Sequence, residues 1–495
     1  MDRRHPRLSR HPLRRLALAM VCASLPLAAA GQGPIELPDM GDPTEQVLPP
    51  DQEARLGEVF MRQIRQAMTL VADPEVNDYI GNLGDSLVGT GEGGGRAFDF
   101  FVVEDPAINA FAGPGGYIGV NTGLISATEN ESELAAVLAH EAAHVTQRHI
   151  ARQLQQAENM SLPALAALLA AIVIAGKSGG EVGTAAVAAV TAGTAQLQLN
   201  FTRANESEAD RVGIQMLADA GYDSHGMPDF FQRLQTSSRY YSRPPEFLST
   251  HPVTENRIAE AEDRASRLGH QGHKDSFEYH LIKARLRVLT EVNPREAQRY
   301  FVRSLEGGQF QNEDAMRYGL AVADTAIGRY DDSRRELSGL IKRRGELPLL
   351  LSARARNEFA AGNTKEAIRQ YRDALAIYPG QYALTLALAE TQLRVGDARP
   401  ARDLLRPLTR EHPASAEGFR LLAQAHVALG ERVPARQAQA EYEYLSGNLP
   451  GAIQQLKLAK KEVKDNFYIA SAVDARLAEL EALEKEEKQQ ERERR

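Results

Sequence analysis

His140, Glu141 and His144, in the run His140-Glu141-Ala142-Ala143-His144, have the residue types and the spacing to attack a hydrolysable bond. On a helix the i, i+4 step sets both imidazoles on one face, one turn apart, where they can hold a single Zn²⁺. Glu141 stands beside them, within reach of a water on that metal, and can act as its general base. A third protein ligand is required, and it must leave one position open. His149 is close by, but it falls one position short of the place an HExxHxxGxxH site gives its last histidine. Gln147 also occupies the place of that pattern's glycine, so His149 reads as an exposed helix residue. A better third ligand lies well downstream of His144, in Asn205-Glu206-Ser207-Glu208-Ala209-Asp210. Glu206 and Asp210 share a face at i, i+4 on a helix that runs to a stop at Gly221. Glu206 can complete a His₂Glu set, and Asp210 can accept an N–H from a ligand histidine. Glu208 reads as a solvated carboxylate.

These residues need helices to hold them. Upstream of the first histidine, Asn130-Glu131-Ser132-Glu133 resembles a capping box, and Leu134, Val137 and Leu138 give the following helix an apolar face. A strand-like block, Phe98 to Ile125, precedes it. Between the two ligand-bearing segments lies an apolar insert over residues 161–200. Its first run, Leu162 to Ala175, is too short to span a bilayer. Gly176, Gly179 and Gly180 separate it from an Ala-rich run at Thr184–Ala195. Two short helices in a hairpin near the site are expected, and three uses compete: core packing, a lid over the metal, and contact with a membrane or a membrane partner.

From Phe277 onward the apolar positions follow helical spacing. Gly328, Gly362, Gly396 and Gly430 recur at one fixed interval, with Ala367, Ala401 and Ala435 on the same step. A fixed interval of this length is the tetratricopeptide (TPR) signature: each glycine ends the first helix of a unit, and each alanine lets the second helix pack closely. The last unit is less regular, with a Gly447–Asn448 turn, as a capping repeat should be. The charged tail over 484–495 reads as a solvated helix end or a disordered one. The expected fold is therefore α+β and mostly helical. A catalytic unit with a small sheet occupies 51–270, and an all-α repeat solenoid occupies 275–483.

The segment 1–30 is expected to lie outside this fold. Six arginines between Arg3 and Arg15 precede an apolar run from Leu16 to Ala30, and Ala28–Ala30 offer a cleavage site, the pattern of a secretory signal peptide. Residues 31–50 then read as an extended leader rich in proline and acid. The signal contains the sole cysteine, Cys22, and carries six Arg and one Asp, a net +5, so its removal takes the formal charge from −8 to −13. A disulfide framework is excluded, and the acidic balance gives no footprint for nucleic acid. There is no P-loop or dinucleotide fingerprint, so no nucleotide or redox cofactor is expected.

HEAAH followed by E-x-x-x-D in NESEADRVG resembles the zinc endopeptidases related to HtpX and the CAAX prenyl proteases. With an export signal and TPR repeats added, nearly the whole mature chain is similar to the periplasmic β-barrel assembly-enhancing proteases. The resemblance implies one zinc per chain on His140, His144 and Glu206, with Glu141 as base. It implies a periplasmic endopeptidase acting on misassembled outer-membrane proteins, with the TPR array docking the β-barrel assembly machinery or an unfolded client. A TPR scaffold or chaperone with a mostly latent protease is the alternative. Asn109-Ala110-Phe111-Ala112 and Gly115-Gly116-Tyr117 match the family's edge-strand segment, which either pairs with an extended substrate or is an ordinary buried strand and turn. Thr250-His251-Pro252 and Arg257 match a further motif. There His251 is an extra, displaceable zinc ligand that keeps the enzyme latent, and Arg257 either assists the transition state or pairs with a carboxylate.

Overall fold

A computed structural model describes residues 48–89, 97–154, 162–177, 203–238, 245–269, 275–308, 310–463 and 466–493. The expected signal segment, nearly all of the leader and the second apolar run of the insert lie outside these described residues.

The catalytic half begins with α1 (Pro50–Ala67) and α2 (Pro74–Val88), each opened by a proline in its first turn, where no backbone N–H is needed. Three short strands follow: β1 (Asp99–Val103), β2 (Ala110–Ala112) and β3 (Tyr117–Asn121). Their order is β1-β3-β2, with β1 parallel and β2 antiparallel to β3, so β2 lies at an edge, while Gly115–Gly116 form a turn and Tyr117 opens the central strand. Residues 69–71 cover the other edge, through Val71 N–H to Val102 C=O at 2.9 Å and Glu104 N–H to Thr69 C=O at 2.8 Å.

Next come α3 (Thr122–Ala127), α4 (Glu131–Thr146), α5 (His149–Leu154), α6 (Leu162–Lys177), α7 (Arg203–Asp219), α8 (Gly226–Ser238), α9 (Glu246–Thr250) and α10 (Glu255–Leu268). Helix α4 is buried along almost its whole length, from Glu131 to Val145. Such a helix needs its end groups satisfied by protein. Asn130 caps it by accepting from Glu133 N–H at 2.9 Å, while the Glu133 carboxylate accepts from Glu129 N–H at 2.6 Å. Helix α6 forms from the first apolar run. Its Leu165, Ala166, Leu169 and Ala170 share a core with Leu56, Phe60 and Ile64 of α1. This part of the insert is thus used for core packing. Among the described residues no helix is long and apolar enough to cross a membrane.

The remaining helices run in succession from α11 (Phe277–Leu289) to α22 (Phe467–Glu493). Gly328, Gly362, Gly396 and Gly430 all sit at positive φ (71–86°) just past a helix end, and Ala367 and Ala401 are fully buried. Both outcomes match the repeat period. The tail over 484–493 continues α22 as helix.

One hydrophobic core extends from Val76 of α2 through α4 and α7 to Leu350 and Ala353 in the solenoid. Buried polar links reinforce it. The Arg285 guanidinium donates to both Asp73 carboxylate oxygens at 2.8 and 2.6 Å and lies 2.7 Å from Glu75. Glu131, the first residue of α4, accepts from Ser276 N–H and Oγ at 2.6 Å, just before α11. At the far end of the solenoid Tyr444 donates to Glu58 at 2.7 Å, and Gln66 donates to the Gly447 carbonyl at 2.6 Å.

Candidate metal centre

Two helices and one turn build the site. Helix α4 brings His140, Glu141 and His144, and α7 brings Glu206 and Asp210. The two helices can approach only because Gly213 faces α4: a Cβ there would meet His140 N and Met227 Cε at 3.1 Å. His251 closes α9, and its backbone N–H is held by the Phe247 carbonyl at 2.8 Å.

His140 Nε2 and His144 Nε2 are 3.1 Å apart, and each lies 3.6 Å from a Glu206 oxygen. Ligand atoms bound tetrahedrally at about 2.0–2.1 Å are about 3.3 Å from one another, so these three donors fit one zinc-sized ion. His251 Nδ1 enters the same cluster, 3.1 Å from Glu206 and 3.4 Å from His140 Nε2. All four residues are buried, and their ligand atoms lie within 4.8 Å of one another. Glu141 is wholly buried beside them. Neither of its carboxylate oxygens has a hydrogen-bond partner among the described residues, and His251 Nε2 stands 3.4 Å away. A buried carboxylate in that state is costly unless it has work to do.

The surrounding charges are arranged for a cation. Asp210 Oδ1 lies 3.0 Å from His140 Nδ1, the nitrogen turned away from the cluster. Arg257 of α10 grips Asp210 with two N–H donors at 2.8 Å and reaches Glu206 at 2.8 Å. Arg257 therefore pairs with carboxylates, one of the two roles open to it. Burial opposes charge on His140, but Asp210 and Glu206 prevail and raise its pKa to about 9. Burial and the neighbouring His140 push His144 well below its usual value. Burial would raise Glu206, yet His251 and His140 hold it far below the usual carboxylate range. Asp210 is likewise lowered: burial would raise it, but the nearby His140 and the hydrogen-bonded Arg257 prevail. A pocket that stabilises a proton on His140 against two ionised carboxylates is one in which a dication can take that proton's place.

Two expectations are corrected. His149 is not exposed but completely buried, with Nδ1 2.9 Å from His144 Nδ1. Its pKa is lowered by burial, which Glu208 only partly offsets. Glu208 is not a free solvated carboxylate. It accepts from His149 Nε2 at 3.1 Å and from Arg152 at 2.8 Å, with its side chain 28% exposed. The reason is a break in the helix. Helix α4 ends at Thr146, Arg148 takes φ 52°, and the chain re-enters helix at His149 on a new heading. Counting positions onward from His140 supposes one continuous helix, and there is none. The usable signal was an arginine–histidine pair directly after the metal helix, together with the alternating acids at 206, 208 and 210.

Residues 74–265 match peptidase family M48, and residues 358–425 match a tetratricopeptide repeat. The chain is 33% identical over 448 residues to the beta-barrel assembly-enhancing protease of Escherichia coli strain K12, covering 90% of this chain and 92% of that protein. It is 33% identical over 447 residues to the protein of the same name from Yersinia pestis, with the same coverage of 90% and 92%. Over 166 residues, 34% of this chain and 46% of the other, it is 30% identical to the mitochondrial metalloendopeptidase OMA1 of Schizosaccharomyces pombe. The buried HExxH cluster and near-full-length relatedness lead to one conclusion: this chain is a metalloprotease that belongs to the β-barrel assembly-enhancing proteases of peptidase family M48.

Proposed function

We propose that this chain is a periplasmic zinc endopeptidase that serves outer-membrane β-barrel assembly, degrading misassembled barrels and assisting the folding of others. The observation that carries the reading is the buried set His140 Nε2, His144 Nε2 and Glu206, 3.1–3.6 Å apart, beside a Glu141 carboxylate that accepts no hydrogen bond among the described residues. The relatives' name supports the β-barrel context.

In this reading His140, His144 and Glu206 hold the ion, and the Asp210 carboxylate, 3.0 Å from His140 Nδ1, steadies that ring by its charge. Zinc, when bound, supplies Lewis acidity to the scissile carbonyl and to the attacking water. Glu141 takes the proton from that water and hands it to the leaving amine, a role worth about 10²–10⁴ in rate. The β2 edge offers an extended substrate backbone pairing beside the site. The solenoid holds the client or the assembly machinery.

His251 supports a second, compatible reading, in which the chain is chiefly a scaffold and its protease is mostly latent. Its ring lies 3.1 Å from Glu206 and 3.4 Å from Glu141, close enough to take a metal position that a substrate would otherwise use. Two measurements test these readings. Purified chain should contain about one zinc, lost in His140→Ala. Glu141→Gln, returned to cells lacking the protein, should fail to restore outer-membrane integrity. Full restoration makes the scaffold the main function, and absence of zinc overturns the metal assignment.

A further inference from the structure

We infer that His149 and Glu208 are positioning residues of the metal site: Glu208 orients His149, and His149 fixes the tautomer and the ring plane of His144. The inference rests on the reading of His140, His144 and Glu206 as zinc ligands, and it names residues beyond them.

The protons can be placed ring by ring. His144 Nε2 faces the cluster, 3.1 Å from His140 Nε2. A ligand nitrogen must offer a lone pair, so the neutral ring carries its proton on Nδ1. That Nδ1 lies 2.9 Å from His149 Nδ1, which must then accept. An accepting Nδ1 leaves the His149 proton on Nε2, and Nε2 is 3.1 Å from Glu208 Oε2. Reversing the order would set a lone pair of His149 against the carboxylate. Only one proton arrangement satisfies all of these contacts, and it aims the His144 lone pair at the metal. His140 has the Asp210 carboxylate beside its own Nδ1, at 3.0 Å. Both ligand histidines therefore lean on a carboxylate of α7, one in contact and one through an imidazole.

The backbone is built for this. Arg148 adopts φ 52°, and it is the one non-glycine with positive φ among the described residues. Its buried guanidinium is held by the Leu48 carbonyl and by Glu53, at 3.2 Å from the latter. A left-handed arginine persists only where its surroundings over-determine it. Here it breaks the helix after α4, with His149 against His144. Glu208 is held from its other side by Arg152 at 2.8 Å.

The test is the rate of zinc release from the full zinc-loaded chain into an excess of a colorimetric chelator. Glu208→Ala and His149→Phe should each speed release by about 10–100-fold. Glu208→Gln keeps an acceptor for His149 Nε2–H and should stay within about threefold of the parent. Because Glu208 acts through His149, the double variant should release zinc no faster than His149→Phe alone. The zinc-free chain should unfold at the same temperature with and without Glu208→Ala, since a purely structural role would move that temperature and leave release unchanged. Parent-like release from Glu208→Ala, or effects that multiply in the double variant, overturns the inference. Should His149→Phe fail to fold, the contrast between Glu208→Ala and Glu208→Gln decides. A parent without zinc overturns the ligand reading and this inference together. A zinc-holding parent with unchanged release in Glu208→Ala overturns this inference alone.

Discussion

Arg285→Met should cost far more than the loss of a surface ion pair. The guanidinium is 2% exposed, and it donates to both oxygens of Asp73 while contacting Glu75 at 2.7 Å. Asp73 and Glu75 belong to the α2 end of the catalytic half, and Arg285 to the first solenoid helix, so the pair sits in the seam. Glu75 would keep Arg356, at 3.1 Å, and Ser352. Asp73 would keep its cap bond from Val76 N–H at 3.2 Å but lose both guanidinium donors, and so be left a buried, poorly compensated charge. Breaking such a pair from one side costs about 3–5 kcal/mol. At about 2 °C per kcal/mol for a large cooperative unit, the thermal midpoint should fall by about 6–10 °C. Circular dichroism melts of the parent and the variant measure it. Adding Asp73→Asn, which removes the charge and keeps the cap acceptor, should recover more than half of the loss. A midpoint within about 2 °C of the parent, or no recovery in the double variant, would refute the reasoning.

Other perturbations act on other parts of the molecule. His251→Ala should raise the rate at which an unfolded protein substrate is cleaved, and unchanged or lost cleavage would count against a blocking role. Gly213→Val should push α7 away from His140, because even a Cβ meets backbone at 3.1 Å; zinc content at a fixed chelator level should drop while the helical content by circular dichroism stays the same. In acid, Arg285 holds Asp73 ionised although burial favours its neutral form, and the carboxyl lies well below its unfolded value of about 3.8. The unfolded chain then binds the extra proton, so this contribution is complete above about pH 4 and fades as the pH falls toward the folded value. Urea titrations between pH 6 and pH 3 should show the parent losing stability more steeply than Arg285→Met; parallel slopes would contradict it.

What was legible in the sequence was whatever depends on short, regular spacing. His140 and His144 at i, i+4, Glu206 and Asp210 at i, i+4, and glycines at a constant interval all follow from helical geometry alone, and each lies where that geometry requires. His149 and Glu208 did not, because their pairing needs a left-handed Arg148, a conformation that no local preference for arginine announces. The Arg285–Asp73 link joins residues 212 apart, and the grip of Arg257 on Asp210 joins residues 47 apart. Charges of this kind read as surface in a sequence until the fold buries both partners. The first apolar run of the insert was ambiguous for a related reason: its composition favours a core but also suits a lid or a membrane face, and the packing of Leu165 and Leu169 against α1 distinguishes them.

The central claim, that Glu141 works as the base beside a metal held by His140, His144 and Glu206, has one direct test. It is the cleavage rate of an unfolded substrate by Glu141→Gln, normalised to bound zinc. About one zinc per chain is expected, as in the parent, with cleavage down by about 10²–10⁴. Cleavage within tenfold of the parent at equal zinc content would contradict it.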